Sequence, residues 1–366
     1  MRIAIATDAW HPQINGVVTT LTATAANLRW RGHEVRIVHP EECFSVACPS
    51  YPQIRLAVWP HAYVARELKA FRPHAIHVAT EGPLGMAVRR YCRVRGLPFT
   101  TAYHTRYPEY LAARWPIPLW ATYAGLRRFH GAATRTFVSS ASLEAQLKGE
   151  GFGQLHRWCR GVDLRRFRPV APHASLAGLP RPVMTCVGRV AVEKNLGAFL
   201  ALEVAGTKLV IGDGPQLTAL RAQYPRAVFA GFRSGQELVQ LLSGSDVLVF
   251  PSRTDTFGLA MIEALACGVP VAAFPVPGPL DVIDPGVTGV MHAQLGTAIQ
   301  AALGLKRAAC VAAAAAFTWD AATSQFLAGL APIGAAARAA LPLSHSSAMI
   351  GRIGARRAQR QTGDAS

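Results

Sequence analysis

Two carboxylates follow an apolar run in the segment FPSRTDTFGLAMIEALACGVP: Asp255 lies in the polar loop before Gly258, and Glu263 five residues past that glycine. The composition predicts a buried strand ending at Pro251-Ser252, a loop, and a helix that starts at Gly258 and stops at Gly268. The first N–H groups of such a helix, at Gly258 and Leu259, have no intrahelical acceptor, and their partial positive charge suits a phosphate. Like-charge repulsion turns both carboxylates away from that phosphate and toward sugar hydroxyls. Asp255 then meets a hexose and Glu263 a ribose, one on each side of a diphosphate. The plainer reading is an acid near a helix start plus an ordinary surface glutamate.

The segment VGRVAVEKN places Arg189 and Lys194 between a strand end and a helix. Two cations there screen a diphosphate and the charge that develops on it as it leaves; alternatively Glu193 neutralises Lys194 at the surface, and Asn195 caps the helix. The glycines of VIGDGP either admit a ligand or make a tight connection. Asn15-Gly16 stands between a strand and a helix start, where a glycine lets phosphate approach the backbone. His104 directly follows a strand, and its ring or backbone faces the same ligand from another side. Trp10 and His11 lie in the loop ahead of Gly16.

These residues need a scaffold, and the chain alternates strand and helix. Strands are expected at 2–7, 34–38, 75–78, 99–103 and 136–139, with helices at 17–31, 63–71, 84–95, 119–132 and 142–148. Residues 160–181 are proline-rich and aperiodic. The alternation then restarts with strands at 183–187, 208–211, 228–230, 247–250 and 271–273, and helices near 195–203, 216–224, 236–242, 259–267 and 297–316. Two tandem α/β domains leave a cleft at the carboxyl ends of their parallel strands, where ligands bind.

The 366 residues suit two domains, and 51% hydrophobic against 16% charged residues supports large cores. The net charge of +17 favours an anionic partner: a nucleotide, a nucleic acid or an anionic membrane face. No zinc finger, repeat or aromatic-studded basic groove supports nucleic acid. Seven cysteines without a CxxC read as reduced thiols and predict a cytosolic setting, with no disulfide framework and no zinc site. The start MRIAIATDAWHP reads as a first strand and not a signal peptide. With no apolar run long enough to span a bilayer, any membrane contact is expected to be peripheral. The segment LPLSHSSAMIGRIGARRAQRQTGDAS reads as a partly disordered basic tail.

Six segments resemble the retaining glycosyltransferases of family 4: TDAWHPQINGVVTTL, HTRYPEY, GRVAVEKN, GDGP, FAGF and PSRTDTFGLAMIEALACGVPV. The opening and HTRYPEY are similar to a subgroup with bacterial glycolipid mannosyltransferases and the plant sulfoquinovosyl lipid synthase. The resemblance implies an α/β fold of GT-B architecture, two Rossmann-like domains facing across a cleft. Residues 1–165 would form the acceptor-side domain, 166–335 the nucleotide-sugar domain and 336–366 the basic tail. It implies that Gly16, Arg189 and Lys194 hold the diphosphate, with Phe257, Gly258 and Leu259 bringing the helix start to it. Glu263 would bind the ribose, Asp255 and His104 the hexose, and the region of Phe232 would line the base pocket. The family signature is Glu-x7-Glu; here Asp255 takes the first place, with a reach about one methylene shorter.

The reaction so implied moves a hexose, first mannose from GDP-mannose and next a UDP-hexose, to a lipid-linked or oligosaccharide acceptor. His104, Arg189, Lys194 and Asp255 would be the catalytic set. A leaving-phosphate oxygen takes the acceptor proton on the face of attack, so no protein nucleophile is needed. No metal or other cofactor is expected, since cations and a helix terminus neutralise the diphosphate. The partners would be the donor, the acceptor and an anionic membrane surface on the cytoplasmic side, with no nucleic acid. A two-domain sugar-nucleotide epimerase or phosphorylase, or a non-enzymatic nucleotide-sugar binder, would use the same fold.

Overall fold

The computed structural model describes residues 1–13, 15–48, 51–112 and 115–339. The first half holds β1 (Arg2–Ala6), α1 (Gly16–Trp30), β2 (Glu34–Val38), β3 (Ser45–Cys48), β4 (Tyr51–Ala57), α2 (His61–Phe71), β5 (Ala75–Val78), α3 (Pro83–Val94) and β6 (Thr100–Ala102). It continues with α4 (Tyr107–Ala112), α5 (Leu119–His130), β7 (Arg135–Val138), α6 (Ala141–Gly149) and β8 (Leu155–Arg157). Six of these strands form a parallel sheet in the order β2-β1-β5-β6-β7-β8, and β3 pairs with β4 as a separate antiparallel hairpin. Period-two alternation covers the sheet on both faces: Ile3 and Ile5 enter one apolar cluster, Ala4 and Ala6 the other.

The second half restarts with β9 (Val183–Val187), α7 (Leu196–Leu200), β10 (Thr207–Ile211), α8 (Leu217–Gln223), β11 (Val228–Gly231), α9 (Gly235–Ser243), β12 (Val247–Phe250) and α10 (Leu259–Ala266). Then come β13 (Val271–Ala273), α11 (Pro279–Val282), β14 (Gly289–Met291), α12 (Leu295–Ala302), α13 (Arg307–Ala314), α14 (Trp319–Gly329) and α15 (Ala335–Ala339). The second sheet is also parallel, ordered β11-β10-β9-β12-β13-β14. Strand order reverses between β9 and β12, and a crevice opens at the carboxyl ends of such a pair. In the first sheet the reversal falls between β1 and β5. The loops after these four strands carry most of the residues singled out in the sequence.

Packing divides the chain differently from the expected limits of 166 and 335. Ala322, Phe326 and Leu330 join Ile3, Ile5, Leu21 and Trp158 in one core of the first domain. Ile333 N–H donates to the His74 carbonyl at 2.8 Å. The chain therefore crosses from domain to domain twice, and the crossings touch: Val162 N–H donates to the Phe317 carbonyl at 2.9 Å. The reason is apolar area, because α14 has a stripe to bury and the first sheet leaves a face open for it.

The helix expected over 297–316 is two helices, α12 and α13, broken around Gly304. Beyond Ala339 the basic tail lies outside the described residues. All seven cysteines are unpaired thiols, and Cys92, Cys186, Cys267 and Cys310 are buried. Among the described residues no helix is long and apolar enough to cross a membrane.

Candidate functional site

The loop leaving β9 and the loop leaving β12 are stitched together by backbone acceptors. Ser252 Oγ and Thr254 Oγ1 donate to the Glu193 carbonyl at 3.1 and 3.3 Å, and Asn195 Nδ2 donates to the Pro251 carbonyl at 3.1 Å. Asn195 itself is left-handed, with φ 52°, and its side chain caps no helix. Its role is this bridge, and not the cap expected of it. The stitching sets Lys194 against Asp255: Nζ donates to Oδ1 at 2.6 Å and to Oδ2 at 2.8 Å, in a largely buried pair. Glu193 is not the partner of Lys194; it accepts from Arg189 at 2.7 Å. Arg189 and Lys194 line a small pocket with Gly188, Pro251 and Ser252.

The glycines of VIGDGP serve the sheet. A Cβ at Gly212 would lie 1.8 Å from the Gly188 carbonyl oxygen, and one at Gly214 2.5 Å from that of Val190. Close backbone approach at the head of β9 and β10 requires them.

Gly258 opens α10 with φ 90°, and no side chain caps the helix. The Gly258, Leu259 and Ala260 N–H groups thus remain available at the mouth of the cleft, while Met261 N–H already donates to the Gly258 carbonyl at 3.0 Å. Glu263 lies one turn further along α10. Burial pushes its carboxyl up to about 7, with Arg166 pulling the other way, and no described side chain hydrogen-bonds it. Phe257 is core: its ring packs edge-on to Phe317 at 6.1 Å, so only its backbone can serve a ligand. Phe232 is exposed just past β11, whose Gly231 carbonyl accepts from Gly212 N–H.

The first domain closes on this site through its own loop ends. A Cβ at Gly16 would lie 3.7 Å from Leu259 Cδ1, so the start of α1 faces the start of α10. Asn15 caps α1, its Oδ1 accepting from Val17 and Val18 N–H at 3.0 Å, which uses donors that a phosphate would otherwise take. Thr256 Oγ1 donates to the His104 carbonyl at 3.0 Å, and Ser139 Oγ to the Thr256 carbonyl at 2.6 Å. Asp281 of α11 accepts from Ser142 N–H at 2.9 Å and from the Ser142 hydroxyl.

The His104 ring is buried beside Trp158, and burial together with nearby Arg160 holds its pKa well below the usual histidine range. Arg160 Nη2 lies 3.1 Å from Nδ1. A guanidinium can only donate, so Nδ1 accepts and the proton of the neutral ring sits on Nε2. That buried N–H has no partner among the described residues.

Three further residues stand here that no sequence pattern singles out. Tyr110, in the HTRYPEY segment, reaches across to Thr254 with Asp255 and Glu193 nearby; a motif of aromatics gave no hint of which one crosses. Asp8, following β1, accepts from Leu84 N–H at 2.8 Å, Gly85 N–H at 3.2 Å and Thr80 Oγ1 at 2.8 Å, so it caps α3 from a distance in sequence that no local pattern reveals. Glu81, following β5, pairs at 3.2 Å with the buried His130. Among the described residues no three His, Cys, Asp or Glu side chains gather as metal ligands would.

Residues 14–166 match the model of Glycosyltransferase Family 4, and residues 181–305 that of Glycosyl transferases group 1. A GDP-mannose-dependent alpha-mannosyltransferase of Mycobacterium tuberculosis (strain CDC 1551 / Oshkosh) is 32% identical over 317 residues, spanning 80% of this chain and 83% of that protein. A sulfoquinovosyl transferase of Arabidopsis thaliana is 30% identical over 298 residues, spanning 72% of this chain and 58% of its own. The solved sucrose-phosphate synthase from Thermosynechococcus elongatus superposes with a TM-score of 0.73 at 21% identity, covering 89% of this chain and 97% of that one.

Proposed function

The chain belongs to glycosyltransferase family 4, with GT-B architecture and nucleotide-sugar-dependent, retaining hexosyl transfer, and from that premise we propose that it moves mannose from GDP-mannose to a hydroxyl of a lipid-linked or oligosaccharide acceptor. The observation that carries the reading is the Lys194–Asp255 pair beside the uncapped start of α10. A cation, a carboxylate and free backbone donors meet where the two loops converge, which suits a diphosphate with a hexose attached. The mannosyltransferase relative supports mannose as the hexose and GDP as the nucleotide.

In this reading the diphosphate rests on the Gly258 and Leu259 N–H groups and draws Lys194 and Arg189 toward it. Asp255 turns to the hexose hydroxyls, and Glu263 accepts from the ribose. His104 Nε2–H donates to the hexose, and the region of Phe232 borders the base. The bond from the anomeric carbon to the diphosphate oxygen breaks first, and charge flows onto oxygens that Arg189, Lys194 and the helix start already face. The acceptor hydroxyl oxygen then bonds to the anomeric carbon on the same face, and its proton passes to a departing phosphate oxygen, which completes the leaving diphosphate. Cations and helix terminus supply the neutralisation, so the chemistry uses no metal. The acceptor side lies in the first domain, and the net charge of +17 suits an acceptor presented on an anionic membrane of the cytoplasm.

Calorimetric titration with GDP-mannose, GDP-glucose, UDP-glucose and UDP-galactose tests the donor. GDP-mannose should bind tightest, and Asp255→Asn should lower its transfer rate by about a hundredfold. Preference for a UDP-hexose would overturn the donor assignment; unchanged transfer by Asp255→Asn would overturn the role of that residue. Dialysis against EDTA should leave the rate within about twofold, whereas loss of activity restored by Mg²⁺ would sink the metal-free mechanism.

A further inference from the structure

The six residues Trp115 to Trp120, WPIPLW, carry no charged side chain, and all are exposed. Trp120 is 73% exposed and Trp115 48%. Scattered apolar residues on a surface are ordinary, but an unbroken run with two tryptophans is not. The run cannot fold back on the core. Pro116 and Pro118 hold residues 115–118 out of helix, and Leu119 and Trp120 form the first turn of α5. Once begun, α5 buries Tyr123 and Phe129, and Trp120, Ala124 and Arg128 share another stripe at helical spacing.

The segment is tied to the cleft. Glu109 of α4 accepts from Arg106 Nε and from Tyr123 OH, both at 2.9 Å, pinning α4 to α5. One residue on, Tyr110 reaches Thr254 of the second domain. Whatever holds WPIPLW therefore holds the acceptor side of the site.

Charge selects the occupant. Between residues 82 and 143 the sequence has nine arginines and one acid, and that acid is Glu109, already bonded to Arg106. Arg90 and Arg93 of α3 and Arg128 of α5 are exposed, and Arg89 donates to the Phe129 and Arg128 carbonyls, locking α3 to the end of α5. The surface thus combines an apolar tip rich in tryptophan with exposed arginines on the flanking helices α3 and α5. An anionic bilayer offers the complement of both: an interface in which indole rings settle and a negative potential within a Debye length of it.

We propose that Trp115–Trp120 docks the first domain on an anionic bilayer, with the apolar tip at the headgroup boundary and Arg90, Arg93 and Arg128 over lipid phosphates. This deepens the reading of a membrane-borne acceptor and is independent of the donor. Co-sedimentation of the full chain with vesicles of phosphatidylcholine alone, or mixed equally with phosphatidylglycerol, tests it. The wild type should partition to the mixed vesicles and release as salt rises. W115S/W120S should weaken that partition about tenfold or more while leaving the tail arginines in place. R128E should weaken binding to mixed vesicles and leave the phosphatidylcholine result unchanged. Equal partition of W115S/W120S and wild type would overturn the proposal. So would salt-insensitive binding to both vesicles, or a dimer in sedimentation velocity that W115S/W120S dissolves without changing vesicle binding. GDP-mannose affinity, measured on the same samples, should be equal in variant and wild type; its absence from the wild type would overturn the donor reading alone, since vesicle partition decides the docking surface.

Discussion

The Glu263 carboxyl sits on a helix whose neighbours are nearly all apolar, and burial lifts its pKa to about 7. Above the ordinary carboxylate range, near 4.3, the unfolded chain has lost this proton while the folded protein keeps it. Stability from this group is full at low pH and declines as pH rises toward 7. Ribose hydroxyls donating to the carboxylate would favour its ionised form, so donor binding should release a proton near pH 6.5 and tighten as pH rises through 7. Titrations in buffers of different ionisation enthalpy should show that release in the wild type, and Glu263→Gln should abolish it. Proton-neutral binding by the wild type would remove Glu263 from the donor site. At this scale the sequence was informative about residue type and mute about state. It marked Asp255, Lys194 and Arg189, but their pairing depends on a bridge from Asn195 to Pro251. It marked His104, whose tautomer depends on Arg160, a residue 56 positions later.

Gly258 shows what an element asks of one position. Its φ of 90° is left-handed, and a Cβ there would lie 2.7 Å from Phe250 Cζ and 2.8 Å from Met261 Cε. Gly258→Ala should therefore cost about 2–4 kcal/mol from strain and overpacking combined, read as a lower urea midpoint, and it should weaken donor binding by tilting the first turn of α10. A midpoint equal to wild type would mean that the turn relaxes freely. Alternation along the chain marks the long strands and helices because period and burial agree there, as in β1 and β9. The three-residue strands β8 and β14 are too short to show a period. The β3–β4 hairpin escaped notice because Pro49 and Pro52 argue against a strand. The break between α12 and α13 was masked by alanine, which favours helix on both sides of Gly304.

The division of the whole molecule was the least legible part, since a helical stripe such as Ala322, Phe326 and Leu330 says that it must be buried and not by which sheet. The two adjoining crossings, at Val162 and Phe317, leave few bonds to bend when the domains move, and the two domains are held together instead by side-chain contacts across the cleft. Asp281 is prominent among these: its carboxylate accepts from both the backbone and the hydroxyl of Ser142, at the start of α6. Hydrogen bonds to a carboxylate contribute more than neutral ones, about 1.5–3 kcal/mol each. Their loss should shift the population toward an open form whose halves of the site are intact but apart. Asp281→Asn combined with Ser142→Ala should raise the radius of gyration by small-angle scattering. It should also lower kcat/KM about tenfold, while donor affinity, set mainly within the second domain, changes little. A double variant as compact and as active as wild type would mean that closure is carried by Thr256, Ser139 and the packing of Leu259 beside Gly16. A variant that loses donor affinity in step with activity would mean that the first domain contributes to donor binding directly.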